Sequence, residues 1–262
     1  MLITKKFRKK VILDNIELSL ENNSINLLIG ENGSGKTTLF KILASLLKND
    51  ANSVNEYKSS LLVDKDILFT NKTGIENLEY FLDKEELKCA NKYIEYFKVE
   101  EFITNMSKTY SNGMKKIVEL IIAFSKKGDI LLLDEPTNSL DINNIELLKK
   151  LLKEESNART IFISSHDKSI YDKNIIDNIY VLKDHKITML NKNELDFLIY
   201  KVKTLKEVDL EDIEIIGKTS DYIYIKIIAN PELIITKLIP FGILEFSPVS
   251  LSDSIYLKEI IW

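Results

Sequence analysis

Gly30-Glu31-Asn32-Gly33-Ser34-Gly35-Lys36-Thr37 carries the pattern G-x-x-x-x-G-K-[ST], and three of the chain's 8 glycines fall inside it. The residue types have a chemical reading. Glycines let successive backbone N–H groups turn inward around phosphate oxygens, and a helix starting there adds a favourable dipole. Asn32, Gly33, Ser34, Gly35, Lys36, Thr37 and Thr38 would form the cradle. Lys36 supplies a point charge to the β- and γ-phosphates, and the Thr37 hydroxyl is offered to Mg²⁺. Further along, Ile130-Leu131-Leu132-Leu133 runs into Asp134 and Glu135. An apolar strand ending in two acids puts carboxylates at the carboxyl edge of a sheet, where a phosphate loop also lies. Asp134 is suited to orienting Mg²⁺, and Glu135 to polarising an attacking water.

These groups need elements to hold them. Leu2–Phe7 and Val11–Ser19 read as strands around a basic turn, and Ile25–Ile29 as a short buried strand. A helix is expected within Lys36–Leu47, where Leu39, Ile42, Leu43, Leu46 and Leu47 keep one face apolar. Leu61–Val63 suggests a strand. Residues 75–124 turn helical, with Tyr93, Ile94 and Phe97 either packed in the core or lining a groove for a partner helix. Strand and helix then alternate: Ile130–Leu133, helix Asn143–Lys153, Thr160–Ser164 and Ile179–Leu182. Such alternation argues for a parallel or mixed sheet with helices on its faces. The last sixty or so residues differ. Tyr222–Ile227 alternates like a half-solvated strand, Asn230-Pro231 looks like a helix start, Pro240-Phe241-Gly242 breaks that helix, and Ile243–Phe246 reads as another strand. The expected division is 1–204 for the nucleotide domain, with a helical part at about 72–127, and 205–262 for a small α+β appendage.

Composition narrows the classes. The chain has 262 residues, 45% hydrophobic and 29% charged, with a net charge of −4, which reads as globular and not as a general nucleic-acid binder. No run of about 18 uncharged apolar residues is present, so no membrane-spanning helix is expected. One cysteine, Cys89, rules out an internal disulfide framework, and with two histidines makes a zinc site unpromising. A cytoplasmic location is the expectation. The basic cluster Lys5, Lys6, Arg8, Lys9 and Lys10 reads as a solvated turn, or as a contact to anionic headgroups.

With these motifs in order, the chain resembles the ATP-binding cassette (ABC) ATPases over about residues 1–190. Leu133-Asp134-Glu135-Pro136-Thr137 is followed by Asn138-Ser139-Leu140-Asp141, similar to the family's D-loop. Ser164-Ser165-His166-Asp167 resembles its switch-histidine segment, and Tyr110-Ser111-Asn112-Gly113-Met114 a variant of its signature. The guanine motif N-K-x-D is absent; Asn191-Lys192-Asn193-Glu194 lacks the final Asp. The resemblance implies an α/β P-loop cassette with a mixed sheet core and a short helical subdomain, using ATP and Mg²⁺ as a second cassette stacks on it head to tail. Ser111 and Gly113 would then bind the γ-phosphate of the partner's ATP, Asp141 would belong to the same nucleotide interface, and His166 would contact the γ-phosphate and Glu135. Phe7 stands where the family stacks an aromatic ring on adenine, though it also reads as a hairpin packing residue. Asp64 stands at the Q-loop position in place of glutamine, where it could meet Mg²⁺-bound water while adding negative charge. Asn112, Met114 and Ser139 are further departures.

The run Tyr-Ser-x-Gly-Met-Lys at 110–115, Glu76-Asn77-Leu78 and the appendage together resemble ATPase subunits of drug, bacteriocin and lantibiotic-type exporters. That branch implies a separate polytopic permease subunit and a peripheral position on the cytoplasmic membrane face. The competing class is a soluble ABC machine acting on a macromolecule, for which the long coiled coils and tandem cassettes are missing from this sequence.

Overall fold

The computed structural model describes residues 1–51, 53, 57–165, 170, 172, 174–190, 198–208, 213, 215–227 and 231–249. The chain divides into two compact units, Met1–Met189 and Leu190–Trp262. The elements of the first are β1 (Leu2–Phe7), β2 (Lys10–Glu17), β3 (Ile25–Ile29), α1 (Lys36–Leu43), β4 (Ser59–Leu62), α2 (Gly74–Phe81), α3 (Lys84–Phe97), α4 (Asn112–Ser125), β5 (Ile130–Asp134), α5 (Ile142–Glu155), β6 (Thr160–Ser164), β7 (Asn178–Lys183) and β8 (Lys186–Leu190).

Six strands form the central sheet in the order β4-β5-β6-β3-β7-β8. β3 pairs in parallel with β6 and β7, and β5 with β4 and β6. Strands β3, β5 and β6 are buried along their whole length, which is why they read as continuous apolar runs without alternation. The register places Asp134 opposite Ser164 and Leu28 opposite Ser164. Three strand ends therefore meet at one sheet edge. Beneath it, Phe40 of α1 packs on Phe162 of β6 with ring centroids 5.2 Å apart, in a core with Leu28, Leu39 and Leu132. β1 and β2 form a separate antiparallel hairpin.

The helices at 74–125 have strong sequence starts. Thr73 and Asp83 each accept from the backbone N–H three residues on, while Glu76 and Glu86 reach back, so both helices carry capping boxes. Tyr93 and Phe97 are buried; Tyr93 packs against Phe124 and donates to Glu155 at 2.8 Å. These aromatics belong to the core.

The second unit contains β9 (Leu198–Thr204), β10 (Ile215–Lys218), β11 (Ile223–Ile227), α6 (Pro231–Leu238) and β12 (Ile243–Pro248). Its sheet runs β10-β11-β9-β12, with β9 antiparallel to both β11 and β12. Val202, Ile225 and Leu238 form its own small core. The boundary expected after residue 204 is corrected here: β9 precedes it but pairs only within the second sheet. α6 begins at Pro231 as its φ restriction favours, while Asn230 lies outside the described residues. Gly242, at φ 72°, closes a short 3₁₀ turn after α6. No helix among the described residues is long and apolar enough to cross a membrane.

Candidate nucleotide and ATPase site

The loop between β3 and α1 is shaped by its glycines. Gly35 caps α1 at φ 118°, a left-handed conformation costly for any side chain. Gly30 is needed for space, since a Cβ there would lie 2.7 Å from the Leu182 carbonyl oxygen. Within this loop the Lys36 ammonium is buried and donates to the carbonyls of Gly30 (2.7 Å) and Glu31 (3.3 Å). It lies 3.8 Å from Glu135 Oε1. The Ser34 hydroxyl oxygen is buried without a hydrogen-bond partner among the described residues. A buried hydroxyl left unpaired is costly, and an anion in the loop would satisfy it.

Asp134 ends β5 and is buried. One of its oxygens accepts from the Thr37 hydroxyl at 2.6 Å, and the other from the Ser164 hydroxyl. Two short O–H donors fix the carboxylate plane. Glu135 follows in a left-handed backbone conformation, φ 49°, and its N–H donates to the Ser164 carbonyl (3.0 Å) and hydroxyl (3.2 Å). Ser164 thus positions both acids, a role that sequence reading missed; its place at the end of an apolar strand was the available signal.

A cavity of about 250 Å³ brings together Asn32, Gly33, Gly35, Lys36, Thr37 and Thr38 with Asp134 and Glu135, and Ile12 and Asp64 complete its lining. The donor set suits a triphosphate: an ammonium, loop N–H groups, an unpaired hydroxyl and a helix N-terminus. Thr37 and Asp134 present touching oxygens suited to a hard cation such as Mg²⁺, which keeps waters and phosphate oxygens as its other ligands. Among the described residues no three His, Cys, Asp or Glu side chains cluster to hold a metal by themselves.

Other expected residues stand elsewhere. Phe7 is 47% exposed at the turn end of β1, where it pairs with Lys10, and the Lys5 ammonium sits 5.4 Å from its ring centroid. It is not on the cavity wall; the hairpin residue there is Ile12. Asp141 is exposed and caps α5, accepting from the Asn144 N–H at 2.9 Å. Ser111 caps α4, accepting from the Met114 N–H at 3.2 Å, while the Met114 sulfur receives the Ser111 N–H at 3.5 Å. Methionine here fills the place glutamate or glutamine takes in a capping box. A Cβ on Gly113 would stand 2.8 Å from the Ser139 carbonyl oxygen, so the bare residue admits close approach of the 138–141 turn. His166 lies outside the described residues.

Asp64 lines the cavity but is held from outside it. Its Oδ1 accepts from Asn138 at 3.3 Å and lies 3.5 Å from the Lys116 ammonium. The chain beyond it is unusually well bonded for a connection. The N–H groups of Ile67, Leu68 and Phe69 donate to the side chains of Glu119 (3.1 Å), Asp66 (3.3 Å) and Asn77 (2.8 Å). Glu119 is buried, and that burial pushes its pKa up.

Comparison with known proteins agrees with this geometry. The ABC transporter family profile matches residues 13–138. An uncharacterised ABC transporter ATP-binding protein of Methanocaldococcus jannaschii is 30% identical over 202 residues, covering 73% of this chain and 76% of that one. A protein named as the xylose import ATP-binding protein of Thermoanaerobacter pseudethanolicus is 30% identical over 225 residues, covering 73% of this chain and 43% of its own length. A solved structure described as the ATP-binding subunit of an ABC transporter superposes with a TM-score of 0.64 at 19% identity, over 73% of this chain and 88% of that one; this likeness concerns the fold. The sheet edge, the phosphate loop and the relatives converge: the chain belongs to the ATP-binding subunits of ABC transporters, the cassettes that hydrolyse ATP in transport.

Proposed function

We propose that this cassette powers export of a drug or antimicrobial-type peptide through separate membrane subunits, with the Lys36 cavity as its ATP site. The observation that carries the site is the joint lining by Lys36, Thr37, Asp134 and Glu135 beside an unpaired Ser34 hydroxyl. Mg²⁺, when bound, neutralises charge on the phosphates. Thr37 and Asp134 would hold it, Lys36 would leave its backbone carbonyls for the phosphates, and Glu135 would take a proton from the attacking water. Phe7 would contact adenine at the edge of the hairpin, and His166 would bind the γ-phosphate.

Ser111 is exposed at the N-terminus of α4, and Gly113 is half-buried beside it. Neither lines the cavity of its own chain, which fits the reading that they serve the ATP of a second cassette. Asp141 caps the helix that follows the neighbouring turn and would support the same interface. Export rests on the sequence at 110–115 and 76–78 and on the C-terminal unit. The exposed aromatics Phe69 and Tyr80, packed edge to face 4.6 Å apart, offer a surface for a permease helix at the cytoplasmic membrane face. The test is co-purification with a polytopic membrane protein, followed by transport in vesicles containing both. ATP-dependent accumulation of a peptide or drug inside inverted vesicles is the expected result; accumulation of a sugar or chelate in the opposite sense would replace export by import. Replacing Lys36 by Ala should abolish ATP binding and transport together.

A further inference from the structure

We propose that Lys116 is a positioning residue of the ATPase: it balances the charge of Asp64 and fastens residues 64–67 to the helix that begins at Ser111. The inference rests on reading the Lys36 cavity as the ATP site.

Lys116 lies in α4, little more than one turn from the Ser111 cap, and only 7% of it is accessible. Its ammonium is shared between Asp64 Oδ1 at 3.5 Å and Glu119 Oε2 at 3.7 Å. The other Glu119 oxygen accepts from the Ile67 N–H at 3.1 Å. Lys115, next on the same helix, holds Asp66 at 2.6 Å. Three contacts from about one helical turn thus tie one segment to one helix: Lys116 to Asp64, Lys115 to Asp66, Glu119 to Ile67.

The electrostatic need is plain. Asp64 lines a cavity that already contains Asp134 and Glu135, with Lys36 as the cation opposite them. A triphosphate adds several further negative charges. Without a partner, Asp64 would repel it across the cavity. Lys116 removes that repulsion from behind, without entering the phosphate cradle. An exposed ion pair would matter little. Here the cationic side chain is buried and so is Glu119, while Asp64 is 44% exposed; deleting the lysine leaves Glu119 buried without its cation and Asp64 with Asn138 in place of a charge.

The variant K116M should raise the Kd for a fluorescent ATP analogue about tenfold, because it leaves Asp64 unbalanced. The defect should shrink as salt is raised, since the field reaching the phosphates is screened. K116R keeps the charge and should bind within about threefold of wild type. D64N placed in the K116M background removes the exposed charge and should restore binding to within about threefold. K116M also uncovers Glu119, so K116M/E119Q serves as the stability control: it should recover the melting temperature and leave ATP affinity impaired. Binding by K116M within about twofold of wild type, or failure of D64N to restore it, overturns the assignment. K36A separates this from the site reading: if K36A binds the analogue like wild type, the cavity is not the ATP site and both readings fall.

Discussion

Glu135 is held at φ 49° and anchored by two bonds from its own N–H to Ser164. A non-glycine residue in that conformation costs about 1–3 kcal/mol, and persists only where its surroundings over-determine it. The arrangement aims the carboxylate at the Lys36 side of the cavity. Glu135→Gln keeps the shape and removes the base, so turnover should fall at least about 100-fold while ATP affinity stays within about threefold. An ATP-dependent dimer should then accumulate on size-exclusion chromatography; turnover near wild type would remove Glu135 from its role. Gly113 makes a second residue-scale case. Alanine is ordinarily the better helix former by roughly 1 kcal/mol, but a Cβ here meets a backbone oxygen at 2.8 Å. Gly113→Ala should therefore destabilise by about 1–3 kcal/mol in chemical denaturation, and slow hydrolysis by displacing the Ser139 turn.

Among the elements, the β1–β2 hairpin is tied to the segment after α1 by several hydrogen bonds, one set of them to a carboxylate. Asp50 accepts from the Lys6 N–H at 2.9 Å and from the buried Lys5 ammonium at 2.9 Å. The Lys6 hydrogen bond first, then the Lys5 ammonium, lowers its pKa from the ordinary 3.8. A carboxylate with a depressed folded pKa contributes stability above its unfolded value and loses it as pH falls through the folded one. Asp50→Asn should melt below wild type at pH 7, and the gap should close on acidification from about pH 4 downward. A gap unchanged at low pH would mean that Asp50 acts without its charge. Elements of this kind were unevenly legible. Buried strands β3, β5 and β6 stood out because apolar runs are local signals, whereas residues 75–124 read only as helical, without the Thr73 and Asp83 caps that start α2 and α3. β4 is Ser59–Leu62, two residues ahead of the start of the expected Leu61–Val63 and one short of its end, because its serines are paired against Ile130 and Leu131. β8 follows a turn of Asp184 and His185, both at positive φ, with no glycine to announce it. The phosphate loop and the two acids were readable from spacing. Ser164, Lys116 and Glu119 were not, because their roles depend on which strand ends and helix faces meet.

On the scale of the whole chain, every described residue lining the nucleotide cavity comes from Met1–Met189, and Leu190–Trp262 has its own core. A chain ending before Leu198 should therefore bind an ATP analogue within about threefold of the full-length protein. Isothermal titration of both forms checks this, and loss of binding on truncation would assign the second unit a part in the site. Such a result would also argue that the two units fold as one, contrary to their separate sheets.

The segment after Asp64 has a consequence for exchange chemistry. Ile67, Leu68 and Phe69 belong to no helix or strand, yet each N–H is bonded to a side chain. Deuterium should enter these three amides slowly, as it does within regular structure, although the segment looks like a connection. Two of the acceptors, Glu119 and Asn77, are themselves buried. Opening them requires unseating part of the helical layer, so the Ile67 and Phe69 amides would report the loosening of α4 and α2 before either helix frays.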